Sequence, residues 1–230
     1  MRIISLTLVG ALAGGCASAT EAPTTEAVTV TTRSAIRHLA LGDSYTVGES
    51  VRTAERWPAV LATLLSDAGV EAEVTVIART GWTTAELDAA IDAASPSGPF
   101  DLVTLMIGVN DQFRGLAGDG FRERFAALVE RSIVFAGDDP ARVVVLTIPD
   151  WGVTPFAASY DAAAVAAAID EFNAIVLAEA ASRDVAVVDV TPLSRERPDL
   201  VASDGLHPSA EMHRLWAEMV LPHAVAVLAG

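Results

Sequence analysis

From Ile36 onward, short apolar runs alternate with stretches whose apolar residues recur at helical spacing. The runs IRHLAL (36–41), EVTVIA (73–78), DLVTLMI (101–107), RVVVLTI (142–148) and VAVVDV (185–190) are almost continuously apolar. That is the pattern of strands buried on both faces of a parallel sheet. Between them, Trp57, Val60, Leu61, Leu64 and Leu65 share one helical face, which Gly69 ends. Thr83 and Glu86 have capping-box spacing ahead of a helix carrying Leu87 and Ile91. Further helical faces are formed by Phe121, Phe125, Leu128 and Val129, by Val165, Ile169, Phe172 and Val176, and by Met212, Leu215, Trp216 and Met219. The alternation predicts an α/β fold, a three-layer α/β/α sandwich around a five-stranded parallel sheet, as one domain over 36–230. Function in such a sheet gathers at the carboxyl ends of the strands.

Ahead of this region the pattern changes. Residues 1–16 read MRIISLTLVGALAGGC, with Arg2 before an apolar run and small residues leading up to Cys16. The run is shorter than the roughly 20 residues of a membrane span and suits a signal-peptide core. Ala13-Gly14-Gly15-Cys16 resembles the lipobox of bacterial lipoproteins, with Leu12 one position early, while cleavage near Ala17-Ser18-Ala19 would give a plain secreted form. The expectation is an exported chain lipidated at Cys16 and anchored in the cell envelope, otherwise periplasmic or secreted. Residues 17–35 mix Thr, Ala, Glu and Pro without periodicity and read as a flexible tether.

Composition narrows the chemistry. Among 230 residues, 15 basic against 30 acidic side chains leave a net charge of −15, and every basic residue is arginine. Without lysine there is no P-loop and no Schiff base. The acidic balance argues against a nucleic-acid partner, which is bound by a basic face. With Cys16 as the one cysteine, an intramolecular disulfide and a multi-cysteine metal site are excluded.

The predicted strand ends carry a suggestive set. The first strand runs into Gly42-Asp43-Ser44-Tyr45, the second into Arg79-Thr80-Gly81-Trp82 and the third into Gly108-Val109-Asn110-Asp111. Ser203-Asp204-Gly205-Leu206-His207-Pro208 precedes the final helix. Taken singly, Ser44 could cap a helix, Gly81 serve a turn, and Asn110 close an Asx-turn. Taken together they meet the needs of ester hydrolysis: a nucleophile (Ser44), a base (His207), an acid that orients it (Asp204), and donors for an oxyanion (the Ser44 and Gly81 N–H groups and the Asn110 amide). Neither G-x-S-x-G around Ser44 nor G-x-G-x-x-G after the first strand is present.

In the order GDSY, RTG, GVND and DGLHP, these motifs make the chain resemble the SGNH hydrolases of the GDSL esterase/lipase family over about residue 36 to the end. The resemblance implies a flavodoxin-like hydrolase fold, a catalytic triad of Ser44, Asp204 and His207, an oxyanion hole of Ser44, Gly81 and Asn110, and no cofactor. Tyr45 stands in place of the leucine of the family name, and Arg79 in place of an asparagine often found before the glycine. Tyr45, Trp82, Phe113 and Trp151 are candidates for the substrate pocket, and IPDWGVTPF (148–156) for a binding loop. Asp43 and Asp111 are expected to brace loops, and His38, His213 and His223 to be structural.

The expected substrate is a small-molecule or glycan ester with a short acyl group, such as an O-acetyl group on a carbohydrate. One helix occupies most of the chain between Asn110 and the fourth strand, leaving little for a lid. Lysophospholipase, lipase or thioesterase activity is the alternative within the family. Outside it stand a metal-dependent phosphodiesterase using Asp43, Asp111, Asp204 and His207, and a non-catalytic carbohydrate-binding surface protein.

Overall fold

A computed structural model of the chain describes residues 35–116 and 119–229. The expected signal peptide (1–16) and nearly all of the expected tether (17–35) lie outside the described residues. Five strands, β1 (Ile36–Gly42), β2 (Ala72–Ala78), β3 (Leu102–Met106), β4 (Val143–Leu146) and β5 (Ala186–Val188), form one sheet in the order β2-β1-β3-β4-β5. All four pairings are parallel. The strand order is the flavodoxin-like one of the doubly wound sandwiches. The chain steps outward from β1 to β2 and then returns across β1 to β3, so the order reverses between β1 and β3. A crevice opens at that switch point, and Gly42 and Met106, the last residues of β1 and β3, lie in register there.

The helices are α1 (Ser44–Val47), α2 (Trp57–Asp67), α3 (Thr84–Ala94), α4 (Val109–Phe113), α5 (Asp119–Phe135), α6 (Ala162–Ala181), α7 (Thr191–Glu196) and α8 (Ala210–Ala229). They cover both sides of the sheet: α2 packs on α8, and α5 packs on α3 and α6. Trp57, Leu61 and Leu65 of α2, Leu87 and Ile91 of α3, and Phe121, Phe125, Leu128 and Val129 of α5 are all fully buried. Side chains of this size contribute about 1.5–3 kcal/mol each on burial. The capping box at Thr83 has both of its arms, with Glu86 accepting from the Thr83 N–H at 2.8 Å.

Two strands depart from the expected pattern. β3 and β4 are buried throughout, but β2 alternates, with Glu73 and Thr75 exposed, because it forms an edge of the sheet. A charged side chain on an edge discourages pairing with another chain. β5 covers three residues rather than the six of VAVVDV. Asp189 ends it by accepting from Thr147 Oγ1 at 2.8 Å and from the Thr191 N–H at 3.1 Å, which turns the chain into α7.

Candidate active site

Ser44 follows β1 immediately after Asp43, whose carboxylate caps the short helix α1 by accepting from the Tyr45 N–H at 3.0 Å. The turn is tight. A Cβ on Gly42 would lie 2.2 Å from Thr46 Oγ1 and 2.5 Å from the Met106 carbonyl oxygen, so only glycine fits between the strand ends. Ser44 is 5% exposed, Asp43 and Tyr45 are buried, and Thr46 fills the space beneath. Burial pushes the Asp43 carboxyl up to about 7, against the hydrogen bond from Tyr45 and with help from the nearby charge of Asp111. Burial also pushes the Tyr45 phenol far above its ordinary value, keeping it neutral.

The loops after β2 and β3 are tied together. Asp111 is fully buried and accepts from the Thr84 N–H at 2.8 Å and from Thr84 Oγ1 at 2.7 Å, with Arg124 Nη2 3.5 Å away. It braces α4 against the start of α3, the role expected of it. Gly81 has φ +86, and Arg114 donates to its carbonyl at 2.5 Å and to Glu86 at 3.3 Å. Arg114 thus steadies the Gly81 turn. The Asn110 amide donates to the Trp82 carbonyl at 2.9 Å. An amide nitrogen has two hydrogens. Holding one on Trp82 fixes how the side chain faces and leaves the second for a ligand.

His207 sits on a loop folded on itself. The Ala202 N–H donates to the His207 carbonyl at 2.7 Å, Ser209 N–H to Leu200 at 3.0 Å, and Val201 bridges Pro208. Asp204 closes the turn: its Oδ1 accepts from the N–H groups of Leu206 (2.9 Å) and His207 (3.0 Å), and its Oδ2 receives His207 Nδ1 at 2.7 Å. Ser50 Oγ donates to the same Oδ2 at 2.5 Å. Burial alone would raise the Asp204 carboxyl, but the hydrogen bonds from Ser50, Leu206 and His207 prevail and hold it well below the usual carboxylate range. With Nδ1 committed to Asp204, Nε2 is the ring nitrogen left for proton transfer.

Ser44, Gly81, Asn110 and His207 line one cleft of about 180 Å³ together with Tyr45, Thr80, Val109, Phe113, Trp151, Phe156 and Leu206. Three of the four expected pocket aromatics, Tyr45, Phe113 and Trp151, are therefore wall residues. Trp82 is not: its side chain packs against the core, and it serves the site through its carbonyl. Phe156, within the stretch expected to form a binding loop, lines the cleft where Trp82 was expected. The post-β4 loop is positioned at several points. The Asp150 N–H bonds Ser194 Oγ at 2.9 Å, Arg195 bonds the Asp150 carboxylate at 2.8 Å, Trp151 Nε1 bonds Gln112 at 2.8 Å, and the Phe156 N–H bonds the Gly205 carbonyl at 2.9 Å. Thr80, Val109 and Leu206 were missed as wall residues, although each lies within a quoted motif. Ser50 carried no sequence signal.

The remaining expectations divide. His38 is buried against Thr104 (2.9 Å), and burial holds its imidazole down at about 3. His213 accepts from the Trp57 N–H at 3.3 Å and is held at about 4 by burial and by neighbouring His207. Both are structural. Among the described residues, no three His, Cys, Asp or Glu side chains are placed to share a metal ion. Asp43, Asp111, Asp204 and His207 thus do not form the cluster that the phosphodiesterase alternative needs.

A switch-point cleft on a doubly wound sheet, carrying these four motifs, defines a hydrolase acting on esters. The sequence profile of the GDSL-like Lipase/Acylhydrolase family matches residues 40–215, and the chain belongs to this family. Among solved structures, TesA is similar at a TM-score of 0.66 and 24% identity, covering 83% of this chain and 99% of that one. Axe2, an acetylxylan esterase from Geobacillus stearothermophilus, gives 0.64 at 20% identity over 82% and 94%. The psychrotrophic esterase EstA from Pseudoalteromonas sp. gives 0.62 at 17% identity over 84% and 99%. No curated protein sequence matches.

Proposed function

We propose that the chain is a serine esterase in which Ser44, His207 and Asp204 form the catalytic triad. The observation that carries this reading is the convergence of Ser44, Gly81, Asn110 and His207 on one cleft, with Asp204 on the far nitrogen of His207. Ser44 Oγ attacks the ester carbonyl carbon while His207 Nε2 takes its proton, and Asp204 stabilises the resulting imidazolium. The oxygen that becomes negative receives the Ser44 and Gly81 N–H groups and the second hydrogen of the Asn110 amide. The C–O bond to the alcohol then breaks, with His207 returning the proton to the departing oxygen. Water, deprotonated by His207, hydrolyses the acyl-Ser44 ester and restores the enzyme.

The substrate reading is a short acyl group, such as the acetyl ester of a carbohydrate. A cleft of about 180 Å³ falls below the roughly 300–1,000 Å³ of sites that enclose drug-sized ligands. Its walls include buried Tyr45 and Trp151, with the more exposed Phe113 and Phe156 toward solvent. An acetylxylan esterase among the similar folds is in keeping with this choice. Hydrolysis of p-nitrophenyl esters from two-carbon to twelve-carbon acyl chains tests it. Each buried CH₂ contributes about 0.8 kcal/mol, so a long-chain enzyme would gain steadily with length. Here kcat/KM should peak by the four-carbon ester, and a continuous rise through ten carbons would instead indicate a lysophospholipase or lipase.

The N-terminal sequence supports export with lipidation at Cys16 as the proposed route to the cell envelope. Cys16→Ser should move the protein from the membrane fraction to the soluble one. Wild-type protein that is already soluble, with an unmodified N-terminus beyond Cys16, would overturn the anchored form.

A further inference from the structure

We infer that Ser50 is a positioning residue of the catalytic centre, a hydroxyl that holds the Asp204 carboxylate against His207; this rests on the triad reading above. Asp204 has four hydrogen-bond donors. Three come from its own turn, and the fourth, Ser50 Oγ at 2.5 Å, comes from a segment 154 residues away in sequence. That fourth donor is the bond by which the loop carrying the acid and base is fastened to the segment carrying the nucleophile.

The segment is built to deliver it. Residues 48–51 hang from the end of α1: the Gly48 and Glu49 N–H groups both donate to the Ser44 carbonyl at 3.0 Å, and the Val51 N–H donates to Gly48 at 3.3 Å. Thr80 Oγ1 hydrogen-bonds the Glu49 carboxylate, so the same stretch also grips the loop that ends in Gly81. Ser50 itself has φ +67, in the left-handed region that glycine enters freely and serine seldom does. A glycine would suit this backbone better, and what serine adds is the hydroxyl. The Asp204 side chain is 32% exposed and that of His207 14%, so water competes for the carboxylate. A tethered donor keeps Oδ2 aimed at Nδ1.

The hydroxyl also tempers the charge. Oδ2 is shared between Ser50 and His207, so removing Ser50 concentrates negative charge on the oxygen that faces the imidazole. The imidazolium is then favoured and His207 titrates at higher pH. The other titratable groups around His207 are Tyr45 of α1, whose ring lies 6.2 Å away, and buried His213 of α8. The charges of Asp43 and Asp150 bear on Tyr45, and that of Glu55 on His213. Burial holds the Tyr45 phenol protonated and the His213 imidazole uncharged at neutral pH.

The test compares Ser50→Gly with Ser50→Ala. Glycine relieves the backbone and removes the hydroxyl, while alanine keeps the backbone constraint and removes the hydroxyl. If the hydroxyl positions Asp204, both variants lose kcat by roughly tenfold, as expected for a hydrogen bond to a charged group. The His207 imidazole, followed by NMR, then titrates at higher pH in both. NMR titration of the full chain needs no substrate, so it reports on Ser50 even if the esterase reading fails. A folded Ser50→Gly protein with wild-type kcat and an unmoved His207 titration would overturn the proposal and leave Ser50 as a turn residue only.

Discussion

Ser44 and Asn110 follow the ends of adjacent strands β1 and β3, whereas Asp204 and His207 ride on a surface loop that no strand end fixes. The first half is held by the sheet. Gly42 admits no side chain between the strand ends, and Asp111 sits at 0% exposure with both oxygens hydrogen-bonded to Thr84. The second half is held by an Asx-type turn, by the backbone bond from Phe156 to Gly205, and by one hydroxyl from Ser50. The carboxylates carry the same contrast. Asp43 is pushed up to about 7 by burial, while the more exposed Asp204 is held low by its donors. In the proposed mechanism the oxyanion donors need rigid placement, which a strand end provides. The proposed base accepts and returns a proton, and a hydrogen-bonded turn is sufficient to hold it.

The largest effects should come from either half equally. Ser44→Ala and His207→Ala are each expected to lower kcat by roughly 10⁴-fold or more with thermal unfolding unchanged. A Ser44→Ala protein retaining a tenth of the activity would break the comparison at its root. Asn110→Ala should lower kcat by about 10²–10³-fold with little change in KM, because its donor acts on charge present only in the transition state. A pure KM effect would make Asn110 a substrate-binding residue instead.

The next contrast lies in stability against pH. Because the folded-state value of Asp43 is raised from 3.8 to about 7, its stabilising contribution is full below the unfolded value and is lost as pH rises through about 7. The loss is as much as ~4 kcal/mol. Asp43→Asn keeps the oxygen that caps Tyr45 and has no charge to bury, so calorimetry should show this slope flattened between pH 4 and 8. Asp204 works in the opposite sense: its contribution is present above the unfolded carboxylate value and disappears only in strong acid.

Glycine substitutions give the smallest and most local comparison. Gly42→Ala forces a Cβ against the backbone of β3 and should cost about 1–3 kcal/mol of global stability by chemical denaturation. Gly205→Ala introduces a side chain at φ +72, with Pro155 Cβ 3.4 Å away. Its cost should be ~1 kcal/mol, expressed more in kcat than in unfolding. Equal global costs would indicate that the two halves are held alike.

The sheet-held half was also the half that could be read from the sequence. Continuous apolar runs gave the strands, and residues just past a strand end fall at the rim of a parallel sheet whatever the loop does, which located Ser44, Gly81 and Asn110. His207 and Asp204 were legible through their spacing and the family resemblance, but not through periodicity. Exposure on β2 was not legible, because an edge strand is defined by a missing neighbour rather than by its own residues. Trp82 and Phe156 show the limit for side-chain direction. Both adjoin a site motif, yet the turn at Gly81 sends Trp82 toward the core, while the bond to Gly205 brings Phe156 to the cleft. Ser50 could not be found by pattern, since its role depends on a partner brought near only by folding.

The central claim is that Ser44 is a nucleophile activated at the switch point. The most direct measurement is treatment of the folded protein with a serine-directed phosphonate, followed by peptide mass spectrometry. The account predicts one adduct, on the peptide containing Ser44, absent from Ser44→Ala and strongly slowed in His207→Ala. An adduct on a different residue, or ester hydrolysis that persists with Ser44 unmodified, would contradict it.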